Sequence, residues 1–259
     1  MTTAFTDTLF MTQRHLRNLF RQPVWIFISL IQPVVWLLLY GALFRKIVEI
    51  PGFGADSYID FLAPGIVVMT CLFSAGWSGM GMIDDLDRGV VDRFLVTPVS
   101  RGSLISGRLV QGALVGVIQS AIIIVLGLAV GAKYPGGIAG IVALTVCAVL
   151  LGTGVGALSN GVALLARRHE TMIAVSNFVL LPLVFLSSVF MARALMPGWM
   201  QSVARYNPVD WAVQAGREGV ASSGPDWSLV FTRMGWLLIF TVVCTWLATR
   251  AFRVYQRSI

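Results

Sequence analysis

Residues 134–166, YPGGIAGIVALTVCAVLLGTGVGALSNGVALLA, form a run of 33 residues without a charged side chain. A helix needs about 20 apolar residues to cross about 30 Å of hydrocarbon, because each residue adds about 1.5 Å. The run is longer than one such helix requires, and it opens with Pro-Gly-Gly at 135–137, a combination typical of a turn. The sequence therefore predicts a turn there, followed by a membrane-spanning helix over residues 138–166.

The composition of the whole chain indicates an integral membrane protein. Of its 259 residues, 57% are hydrophobic and only 12% are charged, against about 25% charged residues in typical soluble domains. So few charges cannot cover the surface of a soluble globule. The net charge of +7 comes mainly from arginines scattered between apolar runs. No basic stripe with interleaved aromatic residues occurs, so we expect no nucleic-acid partner.

Five other apolar runs predict five further spanning helices. The six predicted spans cover about residues 24–44, 61–83, 109–132, 138–166, 171–192 and 229–249. An even number of spans places both termini on the same side of the membrane. Lysine and arginine are enriched in cytoplasmic segments, and twelve of the 19 lysines and arginines fall on the side that carries the termini. We therefore expect both termini to be cytoplasmic.

The segment before the first span, residues 5–21, predicts an amphipathic helix. At about 100° per residue, its apolar side chains fall on one face, whereas Arg14 and Arg17 fall on the opposite face. Such a helix lies in the headgroup layer of the membrane, with its arginines toward anionic lipid or a cytoplasmic partner. Residues 1–259 are thus predicted to form one all-α membrane domain.

The predicted spans lack the residues that several kinds of chemistry require. A charged residue at the centre of the membrane costs about 2.5–3.5 kcal/mol on insertion scales and marks ion or proton pathways, and none lies at the middle of any span. This disfavours ion-coupled carriers. Neither lysine follows a Gly-rich phosphate-binding loop, so we expect no nucleotide site in this chain. Cys71, Cys147 and Cys244 lie inside apolar runs without metal-ligand spacing, so we expect neither a disulfide nor a metal site.

One short motif suggests an enzyme instead. Residues 76–79, Gly-Trp-Ser-Gly, resemble the GxSG serine motif of rhomboid intramembrane proteases. A nucleophilic Ser78 needs a base within hydrogen-bond reach, and the two histidines, His15 and His169, fall in predicted cytoplasmic segments. An intramembrane protease therefore stays a minor alternative, beside an uncoupled channel or a secondary carrier.

A charged segment interrupts the apolar runs at residues 84–101, DDLDRGVVDRFLVTPVSR. Asp84 and Arg88, and Arg88 and Asp92, stand four residues apart, which supports a short solvated helix. Pro98 disfavours helix at the preceding residue and ends it there. The apolar side chains of this helix are Val90, Val91, Phe94 and Leu95. A loop that only fixed the topology would need no such patch, so the segment favours docking to a soluble partner.

The segment 87–109, DRGVVDRFLVTPVSRGSLISGRL, resembles the cytoplasmic loop of ABC-2-type exporter permeases. Residues 21–27, RQPVWIF, are similar to the start of the first span in that family. Residues 176–219 resemble its fifth span and the outer segment that follows, with a Pro-x-Trp, an Asn-Pro and a later arginine. The likeness covers nearly the whole chain in the same order, and it is strongest to the daunorubicin and doxorubicin efflux branch.

This resemblance implies the membrane subunit of an ATP-driven exporter in a bacterial cell membrane. Two ATP-binding cassette subunits would bind ATP and magnesium, and a second copy or a related permease would complete the dimer within membrane lipid. The implied contacts with the ATPase subunits lie in the coupling region 84–101 and beside it, at Asp87, Arg88, Asp92, Arg93, Phe94, Arg101, Arg14, Arg17 and Arg168. A pathway without fixed charges suits an apolar or amphipathic substrate, such as a drug, a lipid or a lipid-linked glycan.

The resemblance also implies a substrate pathway and an external lid. The pathway would run along spans one, two and five, with apolar contacts from Trp36, Tyr40, Phe73, Trp77, Phe178 and Phe185. The lid would be residues 193–228, folded as short helices that re-enter the outer leaflet. Its implied site residues are Trp199, Asn207, Pro208 and Arg217.

Overall fold

The computed structural model describes residues 23–50, 53, 55, 57–89, 101–221 and 224–257, and of residues 23–29, 101–105 and 254–257 the backbone only. Every regular element in this described part is helical. The α-helices are α1 (Pro23–Leu43), α2 (Tyr58–Gly76), α3 (Ser78–Asp87), α4 (Arg101–Val130), α5 (Gly137–Ala166), α6 (His169–Phe185), α7 (Gly198–Ala204), α8 (Pro208–Gly219) and α9 (Trp227–Arg257). Short 3-10 helices occur at Arg45–Glu49 and Arg193–Leu195.

Four segments are long and apolar enough to cross a membrane. They are Tyr58–Asp87, which joins α2 and α3, Ser106–Val130 in α4, Gly137–Ala166, and Trp227–Arg253 in α9. Two shorter apolar helices, Leu30–Leu43 and His169–Phe185, accompany them. The predicted all-helical membrane class is therefore confirmed, whereas the count of six spans stays a prediction.

The helix α5 lies at the centre of the described bundle and packs against α2, α3, α4, α6, α8 and α9. Its small residues allow this close packing. A Cβ atom at Gly152 would lie 3.3 Å from the Cys71 carbonyl oxygen of α2, and one at Gly154 would lie 2.8 Å from the Phe240 ring of α9. At Gly140 a Cβ atom would overlap the carbonyl oxygen of Gly219 in α8.

The helices define two ends of the bundle, because α2, α5 and α9 run from one end to the other and α4 and α6 run back. We name the two ends after the predicted segments that they carry. The coupling end carries Asp84, Asp85, Asp87, Arg108 and His169, and the lid end carries Tyr58, Arg193, Asn207, Asp210 and Arg217. Both ends contain charged residues, which the described middle of the bundle lacks.

Several helix boundaries differ from the predicted spans, for two reasons. An apolar run marks the part of a helix that lies in hydrocarbon, whereas the helix itself can continue into water. Accordingly α4 begins at Arg101 rather than 109, and α9 continues to Arg257 rather than 249. The reverse occurs in α6, which ends at Phe185 inside the predicted span 171–192, because polar groups of the lid end take over its last carbonyls.

The contact between α5 and α8 can be tested at Gly140. Replacing Gly140 by Ala forces a methyl group into the Gly219 carbonyl and should destabilise the fold by about 1–3 kcal/mol, the usual cost of overpacking. The matched control is Gly112→Ala in α4, where nothing lies within 4 Å of the added carbon. We expect a lower thermal midpoint in detergent for Gly140→Ala only. Equal midpoints for the two variants would contradict the packing of α5 on α8.

Candidate functional site

The aspartates of α3 at the coupling end face basic side chains of two other helices. Arg108 of α4 forms an ion pair with Asp85, and its Nη2 also donates to the carbonyl oxygen of Gly81 at 3.0 Å. His169, the first residue of α6, places its Nε2 3.5 Å from Asp84 Oδ1 and 3.8 Å from Asp87 Oδ2. These contacts attach α3 to α4 on one side and to α6 on the other.

An apolar cluster packs against the buried face of α3. Met82 and Ile83 of α3 are fully buried and pack with residues of α5, α6 and α9. Their buried partners are Ala163, Leu164, Met172 and Phe252. The helix α3 therefore has one face in the core, while its aspartates remain at the surface of the coupling end.

The motif at residues 76–79 forms a break between α2 and α3. Trp77 ends α2 and precedes α3, so the backbone groups on either side lose their helical partners. Ser159 of α5 joins the two sides, because its hydroxyl donates to the Gly76 carbonyl at 2.6 Å and accepts from the Gly79 N–H at 3.0 Å. Ser176 of α6 donates to the same Gly76 carbonyl at 3.3 Å.

The geometry of Ser78 is that of a packing residue. Its Oγ accepts a hydrogen bond from Asn160 Nδ2 at 3.2 Å. His169 lies with the aspartates of α3, and His15 lies outside the described residues. The described part of the chain thus pairs Ser78 with an amide rather than with a base.

The predicted coupling residues are placed only in part. Asp87 and Arg88 are exposed at the end of α3, and Arg168 is exposed in the turn before α6. Arg101 begins α4, and only its backbone is described. Arg14, Arg17, Asp92, Arg93 and Phe94 lie outside the described residues. Those that are placed share the coupling end, and the proposed contact itself stays a prediction.

Asn207 joins two helices at the lid end. Its Oδ1 accepts from the Val209 N–H at 2.9 Å and caps the start of α8, where Pro208 occupies the first turn without needing an N–H partner. Its Nδ2 donates to the carbonyls of Leu183 at 2.7 Å and Leu186 at 3.0 Å, at the end of α6. One buried amide therefore satisfies the start of α8 and the end of α6 together.

A fully buried carboxylate, Asp210, lies one turn further along α8. Its Oδ1 accepts from the Ser188 N–H at 2.9 Å, and its Oδ2 accepts from Gln214 Nε2 at 2.7 Å. Arg193 Nη1 lies 3.8 Å from Oδ2, and Arg193 also donates to the Gln201 carbonyl of α7 at 3.0 Å. Asp210 thus connects the end of α6, α8 and the segment that leads into α7.

Arg217 connects α8 to α2. Its Nε donates to the Phe61 carbonyl at 2.9 Å and its Nη2 to the Val189 carbonyl at 2.9 Å, while the guanidinium carbon lies 3.4 Å from the centre of the Phe61 ring. Burial lowers the pKa of Arg217 to about 9, and the carboxylate of Asp210 opposes this shift. The side chain therefore keeps its charge at neutral pH and binds carbonyl dipoles and an aromatic face.

Aromatic side chains of α1 and α6 border a cleft at the lid end. Trp36 stacks on Tyr40 at 4.8 Å between ring centres, and both contact Phe190. The cleft has a volume of about 320 Å³ and an almost wholly apolar lining. The lining residues are Tyr40, Phe185, Ser187, Phe190, Met191, Leu195, Met196, Pro197 and Met200. Its size is at the lower end of the range of small-molecule sites, about 300–1,000 Å³.

The six aromatic residues predicted for the pathway occupy different surroundings. Tyr40 and Phe185 line the cleft, and Trp36 stacks on Tyr40 without lining the cleft itself. Phe73 is half-buried against the core, and Trp77 marks the helix break. Phe178 is 83% exposed on α6, as is expected of a side chain that faces lipid or a second subunit. In the lid, Trp199 is also exposed, at 61%.

Sequence reasoning missed Asp85, Arg108, Ser159 and Asp210 as site residues. An acidic residue in the first turn of α8 was a usable signal for Asp210, because it complements the helix dipole. Arg108 stands at the edge of an apolar run, where an arginine normally extends to the membrane surface. The partners of all four lie on other helices, so only the tertiary structure reveals their roles.

Comparison with known proteins identifies relatives over most of the chain. A family model for the ABC-2 type transporter matches residues 6–220. The daunorubicin resistance ABC transporter permease protein DrrB1 of Streptomyces coeruleorubidus is 29% identical over 230 residues, covering 88% of this chain and 79% of the relative. The putative transport permease ycf38 of Cyanophora paradoxa is 30% identical over 212 residues, covering 81% and 73%. The inner membrane transport permease YadH of Escherichia coli K12 is 27% identical over 221 residues, covering 83% of each.

Substitutions can distinguish the two roles of Asn207, the cap of α8 and the hydrogen bonds to α6. Asn207→Ser keeps an oxygen that can cap α8, but its shorter side chain cannot reach the carbonyls of α6. Asn207→Ala loses the cap, which lowers the stability by about 1 kcal/mol. It also leaves the carbonyls of α6 without their donor, which costs about 1–3 kcal/mol more. We expect the thermal midpoint in detergent to fall for Ser and to fall further for Ala. Asn177→Ala, on the exposed face of α6, is the control and should leave the midpoint unchanged. A Ser variant as stable as the original protein would show that the bonds to α6 contribute nothing.

Proposed function

Because the chain belongs to the ABC-2 type transporter family, we propose that it is the membrane subunit of an ATP-driven exporter. The observation that carries this proposal is the coupling end. A short helix, α3, follows the break at Trp77, forms the end of the candidate span Tyr58–Asp87 and leads into the charged segment between α3 and α4. Such an arrangement presents a surface to a soluble partner outside the membrane.

The energy for transport would come from separate subunits. The sequence has no phosphate-binding loop, and the relatives are described as permeases. We propose that two ATP-binding cassette subunits bind ATP and magnesium and contact residues 84–101, with the N-terminal segment and Arg168 beside them. Closure of these subunits on ATP would then push on the coupling end. The termini and this end would lie in the cytoplasm of a bacterium.

The substrate proposed for this exporter is apolar or amphipathic. The described spans offer no fixed charge at their middle, and the cleft at the lid end is lined by aromatic rings and methionines, whose polarizable sulfur suits contact with aromatic molecules. One relative is named for daunorubicin resistance, which supports a drug as the substrate and makes daunorubicin a reasonable probe. Lipids and lipid-linked glycans remain within the same chemical class.

A second permease subunit would complete the pathway. The described parts of α1 and α6 expose large apolar side chains, among them Ile31, Leu39, Leu43 and Phe178. In a membrane these faces contact either lipid or another protein surface. We propose that two subunits enclose the pathway between them, each contributing α1, α2 and α6 and the aromatic residues at the cleft.

The contact with the ATPase subunits can be tested by reversing one charge and removing one aromatic ring. The double variant Arg93→Glu with Phe94→Ala should lower the ATPase activity of the purified complex by about ten-fold or more, because loss of an interface hot spot costs about 2 kcal/mol or more. Arg205→Glu with Tyr206→Ala makes the same changes at exposed residues of the lid end and serves as the control. The measurement is ATP hydrolysis in lipid nanodiscs, with the amount of bound cassette subunit recorded by co-purification.

Three results would contradict the proposal or a part of it. Full ATPase activity and normal co-purification of the cassette subunit in the coupling variant would remove residues 93 and 94 from the interface. Failure of the unchanged permease to bind any cassette subunit would instead return the chain to the channel or carrier class. A proteolytic activity that Ser78→Ala abolishes would instead favour the intramembrane protease with Ser78 as its nucleophile.

The pathway can be tested with daunorubicin in inside-out vesicles. Tyr40→Ala and Phe185→Ala each remove a ring from the cleft, and we expect ATP-dependent daunorubicin uptake to fall by roughly three-fold or more, the effect of about 0.5–1.5 kcal/mol for an aromatic contact. The control is Phe231→Ala, which removes an exposed ring from α9. Equal uptake by the cleft variants and the control would exclude the cleft from the pathway.

A further inference from the structure

We propose that Arg108 is a positioning residue that ties α3 to α4 and thereby fixes the two ends of the segment that joins them. The inference rests on the proposed function, because it assigns to Arg108 the task of passing the movement of the ATPase subunits into the spans. Arg108 would not touch ATP, substrate or the cassette subunit. It would act through Asp85 and Gly81 of α3.

Among the described residues, Arg108 makes the polar contacts between these two helices, and its neighbour Leu109 packs on the apolar cluster that contains Met82 and Ile83. In the described residues the backbones of α3 and α4 barely approach each other, whereas α3 packs closely on α5 and also contacts α2 and α6. Arg108 crosses the gap with an ion pair to Asp85 and a hydrogen bond of 3.0 Å to the Gly81 carbonyl. A Cβ atom at Gly81 would lie 3.6 Å from Arg108 Nη1, so the glycine leaves room for the guanidinium against the helix backbone.

The burial of Arg108 strengthens its ion pair with Asp85. Its side chain is 11% exposed and that of Asp85 is 25% exposed, so water screens the pair less than it screens an ion pair at an open surface. If one partner is removed, the charge of the other stays partly buried without a counter-charge and with little water around it. Breaking the pair therefore costs free energy. Planar guanidinium can bind a carboxylate and a carbonyl at once, which a lysine ammonium does with less fixed geometry.

Other contacts stabilise α3 independently of Arg108. Met82 and Ile83 anchor it in the apolar cluster, and Ser159 satisfies the backbone at the break before it. His169 holds its exposed aspartates toward α6. What Arg108 adds is a fixed relation to α4, so that a movement of α3 is carried into α4 rather than lost at the break next to α2.

The test uses the complete complex of permease and cassette subunits in lipid vesicles, with daunorubicin as the transported probe. The variants are Arg108→Gln, Asp85→Asn, the double variant of both, and the conservative Arg108→Lys. The control is Arg250→Gln, which removes another arginine of the coupling end, one whose guanidinium carbon lies 4.1 Å from the Trp246 ring centre within the same helix. The readouts are co-purified cassette subunit and daunorubicin moved per ATP hydrolysed.

We expect Arg108→Gln to bind the cassette subunit normally and to move about five-fold less daunorubicin per ATP, the lower end of typical coupling energies between sites. Asp85→Asn should show a smaller loss, because Arg108 keeps its bond to Gly81. The double variant should be no worse than Arg108→Gln, since both changes remove one interaction, and Arg108→Lys should recover part of the loss.

Three outcomes would overturn the inference. Unchanged daunorubicin per ATP in Arg108→Gln and Asp85→Asn would show that the pair does not transmit movement. Additive losses in the double variant would show that the two residues act separately. If Arg108→Gln assembles poorly and Asp85→Asn and Arg108→Lys assemble normally with full coupling, the role of Arg108 is structural only. An original permease that binds no cassette subunit would overturn the proposed function itself, a result visible before any variant is made.

Discussion

Backbone polar groups that leave a helix inside an apolar bundle must find partners within the protein, because lipid offers none. This constraint governs the two places where the described helices are interrupted. At the break between α2 and α3 the hydroxyl of Ser159 serves both sides, and Ser176 adds a second donor to the Gly76 carbonyl. At the end of α6 the amide of Asn207 and the guanidinium of Arg217 donate hydrogen bonds to carbonyls that have lost their helical partners. The interruptions are therefore stable features of the fold.

The same constraint explains why α5 is central. It supplies Ser159 and Asn160 to the break, and its glycines let α2, α8 and α9 approach closely enough to pack. A larger side chain at these glycines would separate the helices and leave the polar groups without their partners. Close packing and hydrogen bonding thus depend on each other in this bundle.

The two ends of the bundle use charge differently. At the coupling end the charged side chains are partly exposed and arranged around α3, which suits contact with a soluble subunit. At the lid end Asp210 is fully buried and Arg217 is bonded to carbonyls on two sides, which suits a rigid joint between α2, α6 and α8. The two ends therefore differ in how far their charged residues are buried, in a chain that belongs to the ABC-2 type transporter family.

The family resemblance in the sequence pointed to Asn207, Pro208 and Arg217, and the structure explains their chemistry. Asn-Pro is an efficient helix start, since the amide caps the helix and the proline needs no donor. The sequence alone could not show that the same amide also binds α6, because that contact spans 21 and 24 residues. For the same reason the sequence does not reveal that Arg108 pairs with Asp85, since the two residues are 23 positions apart and belong to different helices.

The sequence by itself determined the class of this protein. Long apolar runs with few charges require a helical membrane fold, and the order of its motifs identified the family. Only the tertiary structure decided which polar residues meet, where α2 breaks and where α6 ends. The physical reason is that hydrophobicity and helix propensity act over neighbouring residues along the chain. An ion pair such as Arg108–Asp85, or the bonds of Asn207 to α6, exists only after separate helices have packed together.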